Sequence, residues 1–594
     1  MSQLNVTIPR PEHPDPQRFR NTWLNLNGQW DFAIDAGRNG LDAGWLTAKS
    51  WPNQRKITVP FCPESKLSGV EIKDFMPAVW YRRTFQVPAD WKGKRIRLHF
   101  GAVDFDCRAW VNGRLLGRHV GGYTPFCFDI TDALASGDNE LVVYAADDVR
   151  TGRQPAGKQS GQYDSYGCMY TRVTGIWQTV WLEAVGPAFV RELQIVASDD
   201  LSQVSVLAEI SGIAPGMTLH AEALLDGKSA GAWQGPAGAL TAANVALKKV
   251  ERWDVGKGTL YDLVLEVRDS AGNTVDRLES YFGLRKVEIR GNKVYINDRP
   301  VFLRWVLDQG FWPDGVYTAP SDAELKADIE RSMACGFNGA RLHQKVFEPR
   351  TLYWADKLGY LLAGEMGDWG MDFGEPVAHD AFVADWAAAV RRDRNRPSVI
   401  LWTPFNETRG RWATVWDKDR HDGLLRTIYL LTKQLDPARP VIDTSGYVHV
   451  ITDIYDIHSY EQDPAKFAAL FEPLKAGQPD KVFRNFPKED IPYDGHMPYF
   501  VSEYGGIWWN PRQAADARAW GYGQRPESVQ EFLKRFDALN RALLDNPGIC
   551  GFCYTQLTDV EQEVNGLYTY DRKPKFDLSV IKRSLTQPAA MEKG

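Results

Sequence analysis

A chain of 594 residues exceeds what one hydrophobic core normally serves and predicts two or three domains. Hydrophobic residues at 44% and charged residues at 25% describe a globular protein, and no run reaches the ~18 uninterrupted apolar residues of a membrane span. The net charge of −6, with no long basic run, removes nucleic acid and anionic lipid from the expected partners.

The first residues lack the basic start, apolar stretch and small-residue cleavage site of a secretory signal, which predicts a cytoplasmic protein unless a leader has been removed. From Trp23 to Ala184 short alternating segments are separated by Gly, Asn and Pro turns, the pattern of an antiparallel β-sandwich. Within it Asn112-Gly113 reads as a tight hairpin turn. From Phe189 to Phe282 strand-like segments continue, broken by a Gly/Ala-rich stretch from Gly231 to Ala243, and suit a smaller immunoglobulin-like sandwich. Beyond about Arg285 apolar runs alternate with helical periods. Strands are expected near Phe302–Asp308, Asn338–His343, Tyr360–Glu365, Ser398–Asn406, Pro440–Thr444, Asp453–Ser459, Tyr499–Glu503 and Gly548–Leu557. Eight such units in about 300 residues, with no Gly-rich phosphate loop after the first, predict a (β/α)8 TIM barrel rather than a doubly wound sheet. The domain boundaries expected are 1–186, 187–285 and 286–594.

Seven scattered cysteines fit reduced thiols better than a disulfide scaffold. Cys550-Gly-Phe-Cys553 has motif spacing but lies in an apolar strand, where positions three apart face opposite sides, so buried thiols are expected rather than a metal or redox pair. Aromatic residues make up 12% of the chain, and their faces could stack on the apolar faces of sugar rings.

In a TIM barrel, polar residues at the C-terminal ends of strands are the catalytic candidates. The run SVILWTPFNE is apolar until Asn406-Glu407, and PYFVSEYGG until Glu503-Tyr504. These glutamates lie 96 positions apart, about three βα units, as on strands four and seven. Side chains so placed converge on one cavity. Two carboxyl groups there suit glycoside hydrolysis, by retention if about 5–5.5 Å apart and by inversion if further. Asp308, Arg341, His343, Glu365, His458, Tyr460 and the loop residues Trp369, Trp508 and Trp509 also fall at this end. Each could bind sugar hydroxyls or merely tie down loops, and Glu365 could bind metal or sugar or pair with a basic neighbour.

The run Arg396-Pro-Ser-Val-Ile-Leu-Trp-Thr-Pro-Phe-Asn-Glu407 resembles the acid/base strand of glycoside hydrolase family 2, the retaining β-galactosidases, β-glucuronidases and β-mannosidases. Phe500-Val-Ser-Glu-Tyr-Gly505 resembles its nucleophile strand. Leu24-Asn-Leu-Asn-Gly-Gln-Trp-Asp-Phe32, Trp80-Tyr-Arg-Arg-Thr-Phe85 and Gly175-Ile-Trp-Gln-Thr-Val-Trp181 resemble its N-terminal sugar-binding sandwich, and Asp571-Arg-Lys-Pro-Lys575 the segment before its last helix. The resemblance implies Glu407 as acid/base, Glu503 as nucleophile, Asn406 on the sugar 2-hydroxyl, and Arg341 and Tyr460 on the nucleophile. Glu407 must then be protonated near neutral pH while Glu503 is ionised. No cofactor or metal is implied.

The chain departs from the family's best-known members around the sugar. Leu342-His-Gln-Lys345 follows Arg341, strand one ends Val306-Leu-Asp-Gln-Gly310, and Thr555 stands where tryptophan is common. Glu563-Val-Asn565 stands where β-glucuronidases carry Asn-any-Lys to grip the substrate carboxylate, and a glutamate there would repel it. The expectation is a retaining exo-glycosidase with a carbohydrate substrate, first a β-D-galactoside and next an α-L-arabinopyranoside, with β-glucuronidase or β-mannosidase as alternatives. A homo-oligomer is compatible with the sequence. From another class, a non-catalytic carbohydrate-binding protein could keep the aromatic cleft but would have no need of both carboxylates.

Overall fold

A computed structural model describes residues 8–408, 418–510 and 518–593, so the first seven residues of the leader reading lie outside it. The first sandwich packs a four-stranded sheet, which includes Arg95–Phe100 and Val180–Val185, on a six-stranded one centred on Ala78–Phe85 and Asn139–Ala146. Their inner faces bury Trp30, Phe32, Tyr81, Leu98, Phe100, Val143 and Leu182. Asp106–Val111 and Arg114–Val120 form the expected hairpin, with Asn112 at φ 50° and Gly113 at φ 78°, the left-handed pair that matches strand twist.

The second sandwich sets a three-stranded sheet against a four-stranded one. Along Gln203–Ser211 every second residue is buried, as a sheet with one wet face requires. The Gly/Ala-rich stretch is not a break between strands. Lys228–Pro236 and Leu240–Ala246 run through it. Gly231 shows why small residues stand there: a Cβ would lie 2.1 Å from the carbonyl oxygen of Ala246, so the side chains are absent to let two strands approach.

The barrel strands are β1 (Leu303–Asp308), β2 (Gly339–Leu342), β3 (Leu361–Glu365), β4 (Val399–Thr403, continued as Phe405–Asn406), β5 (Thr444–Ser445), β6 (Tyr455–Ser459), β7 (Tyr499–Gly505) and β8 (Ile549–Thr555). Seven pair in parallel in one curled sheet, ordered β4-β3-β2-β1-β8-β7-β6. Strand β5 is shorter than expected and joins through Phe405 with Thr444, Asn406 with Ser445, and a bridge from Trp402 to Val441. Helices α1 (Asp322–Cys335), α2 (Pro349–Leu358) and α3 (Pro376–Asp393) follow the first three strands. Ser321 caps α1 by accepting from the Glu324 amide, and Gly336 ends it in the left-handed conformation.

Sandwich and barrel share one core. Tyr123, Tyr170, Val173 and Trp177 of the sandwich are buried in the same cluster as Phe311 and Tyr317 of the barrel. All seven cysteines are free, and Cys550 and Cys553 are buried on β8. No helix among the described residues is long and apolar enough to cross a membrane.

Candidate active site

Strand β4 is buried throughout and Pro404 interrupts its ladder, so the chain re-pairs with β5 before it reaches Glu407. Glu407 takes φ 52°, a left-handed conformation uncommon for a side-chain-bearing residue, and its N–H donates to the Ser445 carbonyl at 2.9 Å. This turn aims the carboxylate into the barrel mouth. Strand β7 is also wholly buried and delivers Glu503 from the other side. Donor atoms of Glu407, His458 and Glu503 all lie within 4.8 Å of one another.

Glu503 accepts from Arg341 Nη1 at 2.8 Å and from the Tyr460 hydroxyl at 2.5 Å. Burial pushes its carboxyl upward, but His458, Arg341, His343 and the Tyr460 hydrogen bond outweigh burial and bring it down to about 2. His458 spans the pair, with Nδ1 2.8 Å from Glu407 Oε1 and Nε2 3.6 Å from Glu503 Oε1. Burial acts against its charged form, yet the two glutamates more than offset this and raise its pKa. Two carboxylates and an imidazole could ligate a divalent ion, and Arg341 and Tyr460 already donate one hydrogen bond to each oxygen of Glu503.

Arg341, at the end of β2, is buried to 2% of its side chain and organises the floor. Its Nε donates to Glu365 Oε2 at 2.6 Å and Nη2 to Asn406 Oδ1 at 2.5 Å. That bond fixes the Asn406 amide with its oxygen inward, leaving its nitrogen without a hydrogen bond among the described residues.

The structure therefore brings together Asn406, Glu407, Glu503, Arg341, Tyr460 and His458. Three further residues expected at the mouth are placed behind or away from this group. Glu365 has no exposed side-chain surface and accepts from Arg341 and the Gln344 amide, so it anchors the guanidinium from behind. His343 sits beside it, 2% exposed, its pKa driven well below the usual range by burial, Arg341 and Lys158. Asp308 turns away from the pair and lines a small cavity behind β1 with Asp328, Ile329 and Lys345. Burial and Asp328 raise its carboxyl to about 6. Trp508 is half-buried, its backbone packed against Gly521. The indole of Trp369 donates to the Asn406 carbonyl at 3.0 Å, placing that ring beside the catalytic strand.

Sequence reasoning missed the wall supplied by the first sandwich. Its segment 156–170 lies over the mouth: Ala156 and Gly157 amides donate to the Trp369 carbonyl at 2.8 and 2.9 Å, and Trp520 Nε1 and Gln562 Nε2 both donate to the Gly167 carbonyl. The Tyr170 hydroxyl bonds Glu563, whose other oxygen accepts from Asn565 at 3.0 Å. Tyr522 stacks on Tyr460 at 3.4 Å between ring centroids, backing the tyrosine that donates to Glu503. No periodicity marks these loop residues.

Three family models match in order: the sugar binding domain of glycosyl hydrolases family 2 over residues 24–182, a glycosyl hydrolases family 2 domain over 202–285, and the family 2 TIM barrel domain over 287–589. The chain belongs to glycoside hydrolase family 2. A Beta-glucuronidase from Paenibacillus borealis is 24% identical, over 94% of this chain and 96% of that protein. A Beta-galactosidase from Thermoanaerobacter pseudethanolicus is 25% identical over 81% of this chain, which spans 61% of that protein. The family 2 fold is also seen in the Ruminococcus gnavus b-glucuronidase in complex with D-glucuronic acid, with a TM-score of 0.78 and 20% identity over 97% of this chain and 100% of that one. As a family 2 member the protein is a glycoside hydrolase.

Proposed function

We propose that this hydrolase is a retaining exo-glycosidase acting on a neutral terminal sugar, a β-D-galactoside first. The observation that carries the retaining mechanism is the convergence of Glu407 and Glu503 oxygens within 4.8 Å, too close to admit the water of an inverting site. In this reading Glu503, held ionised at about 2, attacks the anomeric carbon while Glu407 protonates the leaving oxygen. The bond to the aglycone breaks as the glycosyl ester forms on Glu503. Glu407 then takes a proton from water, which releases the sugar with its original configuration. Asn406 offers its free amide nitrogen to the sugar 2-hydroxyl.

Exo action is supported by the sandwich segment 156–170, which turns one side of an open barrel mouth into a wall. A neutral sugar is supported by the buried carboxylate of Glu563 in that wall, an acceptor for hydroxyls and a repulsive neighbour for a uronate. A β-glucuronide is the second reading, favoured by the Beta-glucuronidase that this chain matches almost end to end.

A panel of 4-nitrophenyl glycosides tests both. Turnover of the β-galactoside above the α-L-arabinopyranoside, β-mannoside and β-glucuronide is expected. Preference for the glucuronide would overturn the neutral-sugar reading, and silence across the panel would overturn exo-hydrolysis.

A further inference from the structure

Several buried Lys and Arg side chains of the described residues are held by ion pairs or carbonyls. Arg20 lies on Glu183 and Asp276, Arg396 on Asp15, Arg439 on Asp436, and Lys345 donates to the Gly310 and Tyr317 carbonyls. Lys158 differs. It is 5% exposed, yet among the described residues its ammonium makes neither a hydrogen bond nor an ion pair. Its one close partner is the face of Trp369, 3.9 Å from Nζ to the ring centroid.

The side chain is buried but Nζ still reaches solvent, so the ammonium is served by water that a hydroxyl oxygen of a ligand can replace. The placement of Lys158 is tightly determined. Gly157 before it donates to the Trp369 carbonyl, its own carbonyl accepts from the Tyr170 amide at 2.7 Å, and Trp369 is tied in turn to the Asn406 carbonyl. The ammonium thus stands one residue from the acid/base strand end, on a ring fixed to that strand. Glu563, held by Tyr170 and Asn565, acts on the same ammonium. Burial disfavours the charged form of Lys158, but Cys168 once ionised, and Glu563, Glu503 and Glu407, more than compensate and raise its pKa.

We propose that Lys158, delivered across the domain boundary by the N-terminal sandwich, is a sugar-binding residue whose ammonium donates to a hydroxyl oxygen of the terminal sugar while Glu563 accepts from a neighbouring hydroxyl. The catalytic pocket is then built by two domains, the barrel reading the reaction centre and the sandwich reading the ring's far hydroxyls. This rests on the neutral-sugar reading above. A donor and an acceptor side by side distinguish hydroxyl configurations, because an inverted or missing hydroxyl leaves a buried charged group without its partner.

K158M keeps the aliphatic stem over Trp369 and removes the donor. Its kcat/KM on 4-nitrophenyl β-D-galactopyranoside should fall by roughly 10–100-fold, the range for a hydrogen bond to a charged group, with the thermal transition retained. The reading specific to binding comes from the 4-deoxy and 6-deoxy galactosides. On the analogue that lacks the hydroxyl held by Lys158, wild type and K158M should converge to within about threefold. Wild-type rates for K158M on the glycoside the wild type prefers, or an equal loss on every analogue, would overturn the proposal. So would a wild type that prefers 4-nitrophenyl β-D-glucuronide and loses that preference in K158M, because the ammonium would then hold a carboxylate. Failure of the galactoside reading alone appears in the wild-type column, failure of this inference in the ratio of variant to wild type.

Discussion

Tyr460→Phe removes one donor from Glu503 and leaves the Arg341 contact in place, so it isolates what the hydroxyl does. Burial, the largest influence on Glu503, acts upward, and each lost donor lets the carboxyl rise from about 2 toward its ordinary 4.5. The acidic limb of kcat/KM should therefore move to higher pH, with a loss of roughly 10–100-fold at neutrality. An unmoved limb would show that the hydroxyl does not set the nucleophile's ionisation. The same shift bears on stability: a folded pKa below the unfolded one adds stability that is complete above about 4.5 and is lost as pH falls toward 2. Glu503→Gly should be inactive, and azide should restore turnover as an α-configured glycosyl azide; product of unchanged configuration would reassign the nucleophile. These two glutamates were legible in the sequence because each is the first charged residue after a buried apolar strand. Lys158 was not, since a lysine among Gly, Gln, Ser and Tyr reads as a solvated loop charge and nothing local reports a contact made with the barrel.

At the scale of elements, the barrel strands were legible for the reason that buried parallel strands must be: near-continuous apolar runs. Strand β5 is shorter than its apolar run because Val441 holds only an isolated bridge to Trp402 and the continuous ladder falls on Thr444 and Ser445. The decisive element is instead the irregular segment 156–170. Its ties to the barrel join residues nearly four hundred positions apart, as with Tyr170 and Glu563, and no window of sequence carries such a signal. Gly157 is its hinge to the barrel. It sits at φ 60°, and a Cβ there would lie 2.4 Å from the Gln344 carbonyl oxygen and 2.9 Å from the Tyr123 hydroxyl. Gly157→Ala should lift the segment and displace Lys158 while leaving both sandwich cores intact. Since a misplacement of about 1 Å can cost roughly 100-fold in rate, kcat/KM should drop by at least tenfold with little change in far-ultraviolet circular dichroism. Unchanged kinetics would mean the segment does not shape the pocket.

Across the whole molecule the first sandwich is held on the barrel by their shared core and on the second sandwich by Arg20. Its guanidinium is buried between the two sandwiches, with Nε 2.8 Å from Asp276 and Nη1 3.0 Å from Glu183, while Nη2 donates to the Val190 carbonyl at 2.7 Å. Burial opposes ionisation of Glu183, but Arg20, His99 and Arg97 overcome it and hold the carboxyl well below its usual range. Arg20→Ala would leave Asp276 without a cationic partner and Glu183 with only Arg97 and His99, and removing one partner of a buried pair costs about 3–5 kcal/mol. Scanning calorimetry should show a lower first transition, and Glu183→Gln with Asp276→Asn in the Arg20→Ala background should recover part of it by removing the stranded charges. Activity at temperatures below that transition should stay near wild type, because the wall over Glu407 and Glu503 is held by the core shared with the barrel and not by Arg20. A large loss of activity in folded Arg20→Ala protein would show that the contact between the sandwiches also positions that wall.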